Sequence, residues 1–472
     1  MYMYYTRPWR GGHYSQTMSY KRRLYDTGTD TQMVECGYDV IFAPDESGTV
    51  WGCGNLGLRR LASNAFSFTQ LRGSDDRFAE EDVISVSAAY EHTAFVTRQG
   101  NLWTCGSGLN ARIGHDDTLD TKYPTLVCKE LYGGLPVIQV ACGRAHTLVL
   151  TADKCMWGCG STFDGQLGLG HTLLTNFMQK IMLPDNDTSV EIVMVAAGDA
   201  HSAATTAKGR LWTWGYNRYG QLGHEHNRDL FIPSLLSRNA IGMPDVMMVF
   251  AASYHTMAVN SEGQLLVWGS GRFGQLGLGN HIDKHTPTPV GKLAFGDSEI
   301  LTVGCGNKHT LVVTTDGRLY TFGSGSDGKL GHGDLENSPV PVCVGAEHFF
   351  NNKIRCASAG CNMSAVVSED GLLFTWGCLN STGHLRDTLR PTVVFPSVML
   401  GARFGSFYDL PETHALAIAM GVHVRLGADC KYLMLEEEII RLIIKLCAPR
   451  PDDSMCKMPG LRRLMGGGLM LP

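Results

Sequence analysis

One spacing recurs along most of this chain. A residue opens an apolar run, and fourteen residues later a glycine ends a second run rich in aromatic residues. The spacing pairs His92 with Gly106, His146 with Gly160, His201 with Gly215, His255 with Gly269 and His309 with Gly323. With other residues in the first slot it pairs Val40 with Gly54 and Met363 with Gly377. Successive closing glycines stand 52 to 55 residues apart. A fixed period over most of a chain marks a repeat architecture. The seven copies are therefore one unit, although 472 residues could hold two or three ordinary domains.

The clearest copy runs from Gly304 to Asp334. His309 opens the run Thr310 to Thr314, Asp316 and Gly317 turn the chain, and Leu319 to Phe322 lead back. Two strand-type runs around Asp-Gly predict a hairpin with a two-residue turn. The turn glycine recurs as Gly48, Gly100, Gly209, Gly263 and Gly371, with Lys154 departing from it. A loop reading GQLG follows three of the hairpins, at Gly165 to Gly168, Gly220 to Gly223 and Gly274 to Gly277. Pro124, Pro233, Pro287 and Pro341 then stand about eighteen residues past their hairpins, as expected where an edge strand begins. About 54 residues per copy leave room for two further strands, so each copy is a four-stranded blade. Seven blades close into a β-propeller. The expected fold is all-β, a seven-bladed propeller with a short C-terminal α-helix.

The boundaries follow from where the pattern stops. Residues 1–30 form a basic leader, with Arg7, Arg10, Lys21, Arg22 and Arg23 and no acid before Asp26. A flexible leader, a mitochondrial targeting segment and a nucleic-acid-touching arm are the three readings of it. The propeller takes 31–430. Residues 431–448 read as an amphipathic helix ended by Pro449 and Pro451, and 449–472 as a disordered tail. His414 to Met420 also reads as a histidine-slot strand. Either that strand closes the ring beside Thr49 to Gly54, or Val40's own strand pairs there, and the kept spacing of fourteen favours Val40.

A net charge of −5 argues against a wholly basic nucleic-acid binder, and so against chromatin. The 15 cysteines fall mostly in slots that other copies fill with Ala or an aromatic residue, so they read as packing thiols in a reducing compartment. No zinc spacing occurs, and no apolar stretch is long enough to span a membrane. The expectation is an intracellular, monomeric propeller, cytoplasmic or nuclear, with mitochondrial targeting by the leader left open.

The motifs x-G-x-x-H-T, G-x-L-W-x-W-G and G-Q-L-G-x-G, in register in copies such as Gly306 to Gly333 and Ser253 to Gly279, resemble the repeat of the regulator of chromosome condensation family. The resemblance covers about 380 residues and implies a seven-bladed propeller. It implies either an interaction module or, by likeness to its exchange-factor member, a guanine-nucleotide exchange factor or regulator for a small GTPase of the Ran type. A plant branch of the family that senses UV-B light places tryptophans just before the histidine. No copy here has one there.

The histidines His92, His146, His201, His255 and His309 are set one per blade around a ring, so they cannot converge on a metal or an acid-base pair. They are read as structural, each imidazole satisfying backbone groups at a strand start inside its own sheet. The variable residues just before them are the better site candidates: Glu91, Arg144, Asp199, Tyr254, Lys308 and Asn362, a mixed polar rim that suits protein partners. No nucleophile triad, phosphate loop or metal cluster is present, so no catalytic residue, metal or cofactor is assigned.

Overall fold

The computed structural model describes residues 33–394, apart from 46–47, 55–64, 72, 74–75, 174, 185–189, 238–244 and 379–387. The leader, the His414 strand, the C-terminal helix and the tail lie outside the described residues. Within them the chain forms seven four-stranded antiparallel sheets, each built from consecutive strands. In the fourth blade these are Ile192–Ala197, His201–Thr206, Leu211–Gly215 and Leu230–Leu235, from the innermost strand to the outermost.

The fourteen-residue spacing is the register of the two central strands. His201 lies opposite Gly215, His309 opposite Gly323 and Met363 opposite Gly377. Val40 lies opposite Gly54, so the first blade's hairpin pairs locally. Its four strands, Glu35–Cys36, Val40–Pro44, Val50–Gly54 and Ala65–Gln70, form one sheet of consecutive segments.

Two local expectations change. The hairpin turn holds three residues: Thr315, Asp316 and Gly317 lie between Thr314 and Arg318, whose backbones bond to each other at 3.0 Å. The Gly317 N–H bonds back to the Thr314 carbonyl at 2.9 Å with φ of 84°. That is a type I turn closed by a left-handed residue, which glycine adopts at little cost. Lys154 takes the same conformation at φ 66°. The prolines differ too. Pro124, Pro233 and Pro287 are each the fourth of six residues in an outermost strand, inside it and not at its start. An outer strand is an edge, so a missing N–H there leaves no ladder bond unmade.

Blades meet through apolar faces. The central strands are buried at every position but Trp157, as in His201–Thr206 and Leu211–Gly215. Among the described residues, the segment linking one blade to the next carries a short 3-10 turn in four places, and each buries one ring between blades: Phe78, Tyr132, Phe295 and Phe349. The innermost strands of all seven blades surround a central cavity of about 570 Å³. All described cysteines are free thiols. No helix among the described residues is long and apolar enough to cross a membrane.

Candidate interaction mouth

Strand polarity decides which loops share a mouth. In each blade the first strand runs toward one end, the second returns and the third runs out again. The loop before the histidine slot and the loop after the closing glycine therefore lie on the same mouth, and the hairpin turns lie on the opposite one. That topology gathers all six rim candidates at one end.

Beneath the mouth a repeated bond set joins neighbouring blades. The Nε2 of His92, His146, His201, His255 and His309 faces a hydroxyl of the next blade: Thr147 at 2.8 Å, Ser202 at 3.0 Å, Thr256 at 2.8 Å, Thr310 at 3.4 Å and Ser364 at 2.9 Å. Each hydroxyl gives its own proton to a loop carbonyl of the histidine's own blade, as Thr256 does to Gln221 and Ser202 to Gln166, both at 2.7 Å. The imidazole must therefore donate from Nε2, and Nδ1 is a bare lone pair with no partner among the described residues. Burial lowers His92, His146, His201 and His255 to about 3 and His309 well below its ordinary value, so the rings are neutral. The imidazole thus serves a side chain of the neighbouring blade and not backbone inside its own sheet.

The same carbonyls also accept indole N–H groups: Trp214 on Gln166 at 2.9 Å, Trp268 on Gln221 and Trp376 on Lys329 at 2.8 Å. Glycine is required beside the histidine in several blades. A Cβ on Gly198 would fall on the His201 ring and the Ala252 carbonyl.

The rim candidates divide by what holds them. Glu91 is ion-paired at 3.1 Å to Arg112, whose side chain is only 4% exposed and also donates to the Arg144 carbonyl at 3.1 Å. Asn362 accepts from Lys329 Nζ at 3.2 Å. Both therefore brace the loops. Arg144 is exposed, with its guanidinium 5.0 Å from the centre of the Tyr90 ring. Asp199 is half-buried, and burial raises its carboxyl against the opposing pull of a Ser253 hydrogen bond and the Arg144 charge. Tyr254 packs 5.2 Å from Tyr219 and 6.5 Å from Tyr216, and burial raises its phenol. Lys308 is exposed, 4.7 Å from the centre of the Phe273 ring.

The second loop of each mouth was missed by the sequence reading. Counting three residues past each closing glycine gives Leu109, Phe163, Arg218, Arg272 and Ser326, and one further gives Tyr219 in blade four and Phe273 in blade five. Arg272 lies 5.2 Å over the Tyr219 ring. The signal was countable, but nothing local says that this loop returns to the mouth of the histidine loops. Among the described residues no group of His, Cys, Asp and Glu could hold a metal ion.

Known proteins agree with this architecture. The chain is 33% identical over 300 residues to the ultraviolet-B receptor UVR8 of Arabidopsis thaliana, a match covering 62% of this chain and 65% of the receptor. It is 30% identical over 359 residues to the human E3 ubiquitin-protein ligase HERC2, covering 75% of this chain and 7% of the ligase. The chain thus spans less than two thirds of either relative. The crystal structure of Prp20p from Saccharomyces cerevisiae superposes with a TM-score of 0.63 at 18% identity, covering 81% of this chain and 89% of that one. The model of the RCC1-like domain matches residues 54–421. With seven four-stranded blades and that match over most of its length, the chain belongs to the RCC1-like domain family.

Proposed function

We propose that the chain is an interaction module whose partners are proteins, engaged at the mouth that carries Arg144, Asp199, Tyr254 and Lys308. The observation behind this is a division of labour at that mouth. Buried groups hold the loops, while arginine, lysine and tyrosine side chains remain on top of them, the residue types that anchor protein interfaces. Because their loops are already held, binding orders these side chains and not the backbone beneath them.

The second reading is regulation of a small GTPase of the Ran type. It draws on the likeness to Prp20p, a protein described with binding properties to Gsp1p and histones. Such a regulator would accelerate nucleotide loss by binding the nucleotide-free GTPase more tightly than the loaded form. The soluble compartment in which the chain works is part of the same proposal, cytoplasmic or nuclear.

Quantitative affinity capture with the full chain tests the mouth. The wild type, the triple variant Arg144→Ala, Asp199→Ala, Lys308→Ala, and Arg98→Ala on the opposite mouth are compared. Proteins lost only from the triple variant support the reading; identical sets from all three baits overturn it. Release of fluorescent GDP from a GTPase panel, measured with the same proteins, separates the two readings.

A further inference from the structure

We infer that the partner is engaged through a carboxylate-rich peptide segment with an adjoining apolar side chain, bound across the loops of blades three to six. This deepens the interaction-module reading and rests on it.

The mouth is chemically divided. At one loop position, three residues past the closing glycine, blade three offers Phe163, which is 67% exposed, while blades four and five offer Arg218 and Arg272, both exposed. Lys308 of blade six continues the row of cations. Arg272 and Lys308 each lie over a ring of the preceding blade, at 5.2 and 4.7 Å. The rings hold the cations in place and carry apolar surface between them.

Two carboxylates of these loops are already engaged, while burial and the nearby Asp229 charge raise the Asp164 carboxyl. Asp229 accepts the Asn217 N–H at 2.7 Å and Asp283 the Gly271 N–H at 2.8 Å. Arg218, Arg272 and Lys308, by contrast, have no carboxylate partner among the described residues. On the opposite mouth, Arg98 is paired with Asp82 and Arg318 with Asp316. Three cations without a carboxylate partner thus stand in adjoining blades, within a chain of net charge −5. Three cations on an arc, interleaved with rings and followed by an exposed phenylalanine, match carboxylates spaced by short side chains and an apolar anchor. They are too few and too scattered for a nucleic-acid backbone, which requires a dense basic track.

The test is selection of a displayed library of random 16-residue peptides on the full chain at 0.15 M salt, followed by anisotropy measurements on the synthesised winners. The expected winners are rich in Asp and Glu and carry at least one Phe, Leu or Trp. Their affinity falls at least about tenfold in the variant Arg218→Glu, Arg272→Glu, Lys308→Glu, because reversing rim charges sets like against like. Lysine-for-acid copies of the same peptides regain binding to that variant, which shows that it is folded. Phe163→Ala weakens winners bearing the apolar residue and leaves alanine-substituted copies unaffected.

Winners without acidic enrichment that still depend on Arg144 or Tyr254 overturn the inference and leave the interaction mouth standing. Winners indifferent to every change at this mouth overturn both. Tighter binding of a duplex DNA probe than of any peptide overturns the carboxylate assignment.

Discussion

Each histidine of the bond that latches one blade to the next is neutral because its surroundings exclude charge and its Nε2–H already has a partner. The sign of the pH effect follows. A folded pKa of about 3 against an unfolded value near 6.5 means that the unfolded chain binds a proton the folded chain refuses. Stability is therefore full above pH 6.5 and is lost as the pH falls toward 3, at about 1.4 kcal/mol per pH unit for each such histidine. His201→Leu should remove one of these protons. Urea unfolding at pH 5 to 6 should show a pH slope shallower by that amount, beside a lower stability at pH 7.5. An unchanged slope would mean that His201 is protonated in the fold. Thr256→Val tests the latch from the other side. It orphans the His201 Nε2–H and leaves the Gln221 carbonyl with the Trp268 N–H alone, at a cost of about 1–3 kcal/mol, and the same urea measurement at pH 7.5 reads it.

At the scale of the loop, one position does two jobs. In blades three to five it is glutamine, whose side-chain oxygen caps an N–H of its own loop: Asp164 at 2.9 Å, Tyr219 at 3.0 Å and Phe273 at 2.8 Å. In blades two and six it is Arg112 or Lys329, and the buried cation reaches beyond its own loop. Lys329, 1% exposed, donates to Ser326 at 2.7 Å and to Asn362 of the next blade at 3.2 Å, with Asp327 at 3.5 Å. Lys329→Gln should therefore recover the cap found in the neighbouring blades and change stability by less than about 1 kcal/mol. Lys329→Met, which recovers no cap and buries no replacement donor for Ser326 and Asn362, should cost about 1–3 kcal/mol. Equal losses in the two variants, read by urea midpoints, would refute the shared-slot account. The repeat itself was legible, because a register of fourteen residues and a period near 54 are both written in the order of residues. Which groups meet was not. His201 and Thr256 are 55 residues apart, and only closing the ring places one blade's hydroxyl against another's imidazole. The GQLG motif was visible in three copies, but nothing in the order of residues marks Arg112 and Lys329 as a second solution to the same loop.

For the molecule as a whole, the latch is unevenly distributed. It joins blade two to three and continues to blade seven, but Met363 and Val40 fill the slot on either side of the seam, so blade one is held without it on both faces. The seam uses other bonds: the Cys36 N–H donates to Ser358 Oγ at 2.9 Å, and that hydroxyl donates to Glu35 at 3.3 Å. Burial raises Glu35 to about 7, against the opposing pull of hydrogen bonds from Ala88 and Ser358. Here the folded state binds the extra proton. Between pH 4.5 and 7 this carboxyl alone makes stability fall as the pH rises, and above 7 the penalty is complete, on the order of 3 kcal/mol. The five histidines act in the opposite direction over an overlapping range and outnumber it, so the whole protein still weakens in acid. Glu35 becomes visible only by its removal. Glu35→Gln should raise stability at pH 8 toward that full amount and leave it nearly unchanged at pH 4.5. Because the seam is where the ring lacks its latch, hydrogen exchange at pH 8 should slow in Val40–Pro44 of the variant while His201–Thr206, across the ring, exchanges as before. A gain spread evenly over all blades would place the weak point elsewhere than the junction of the first and last blades.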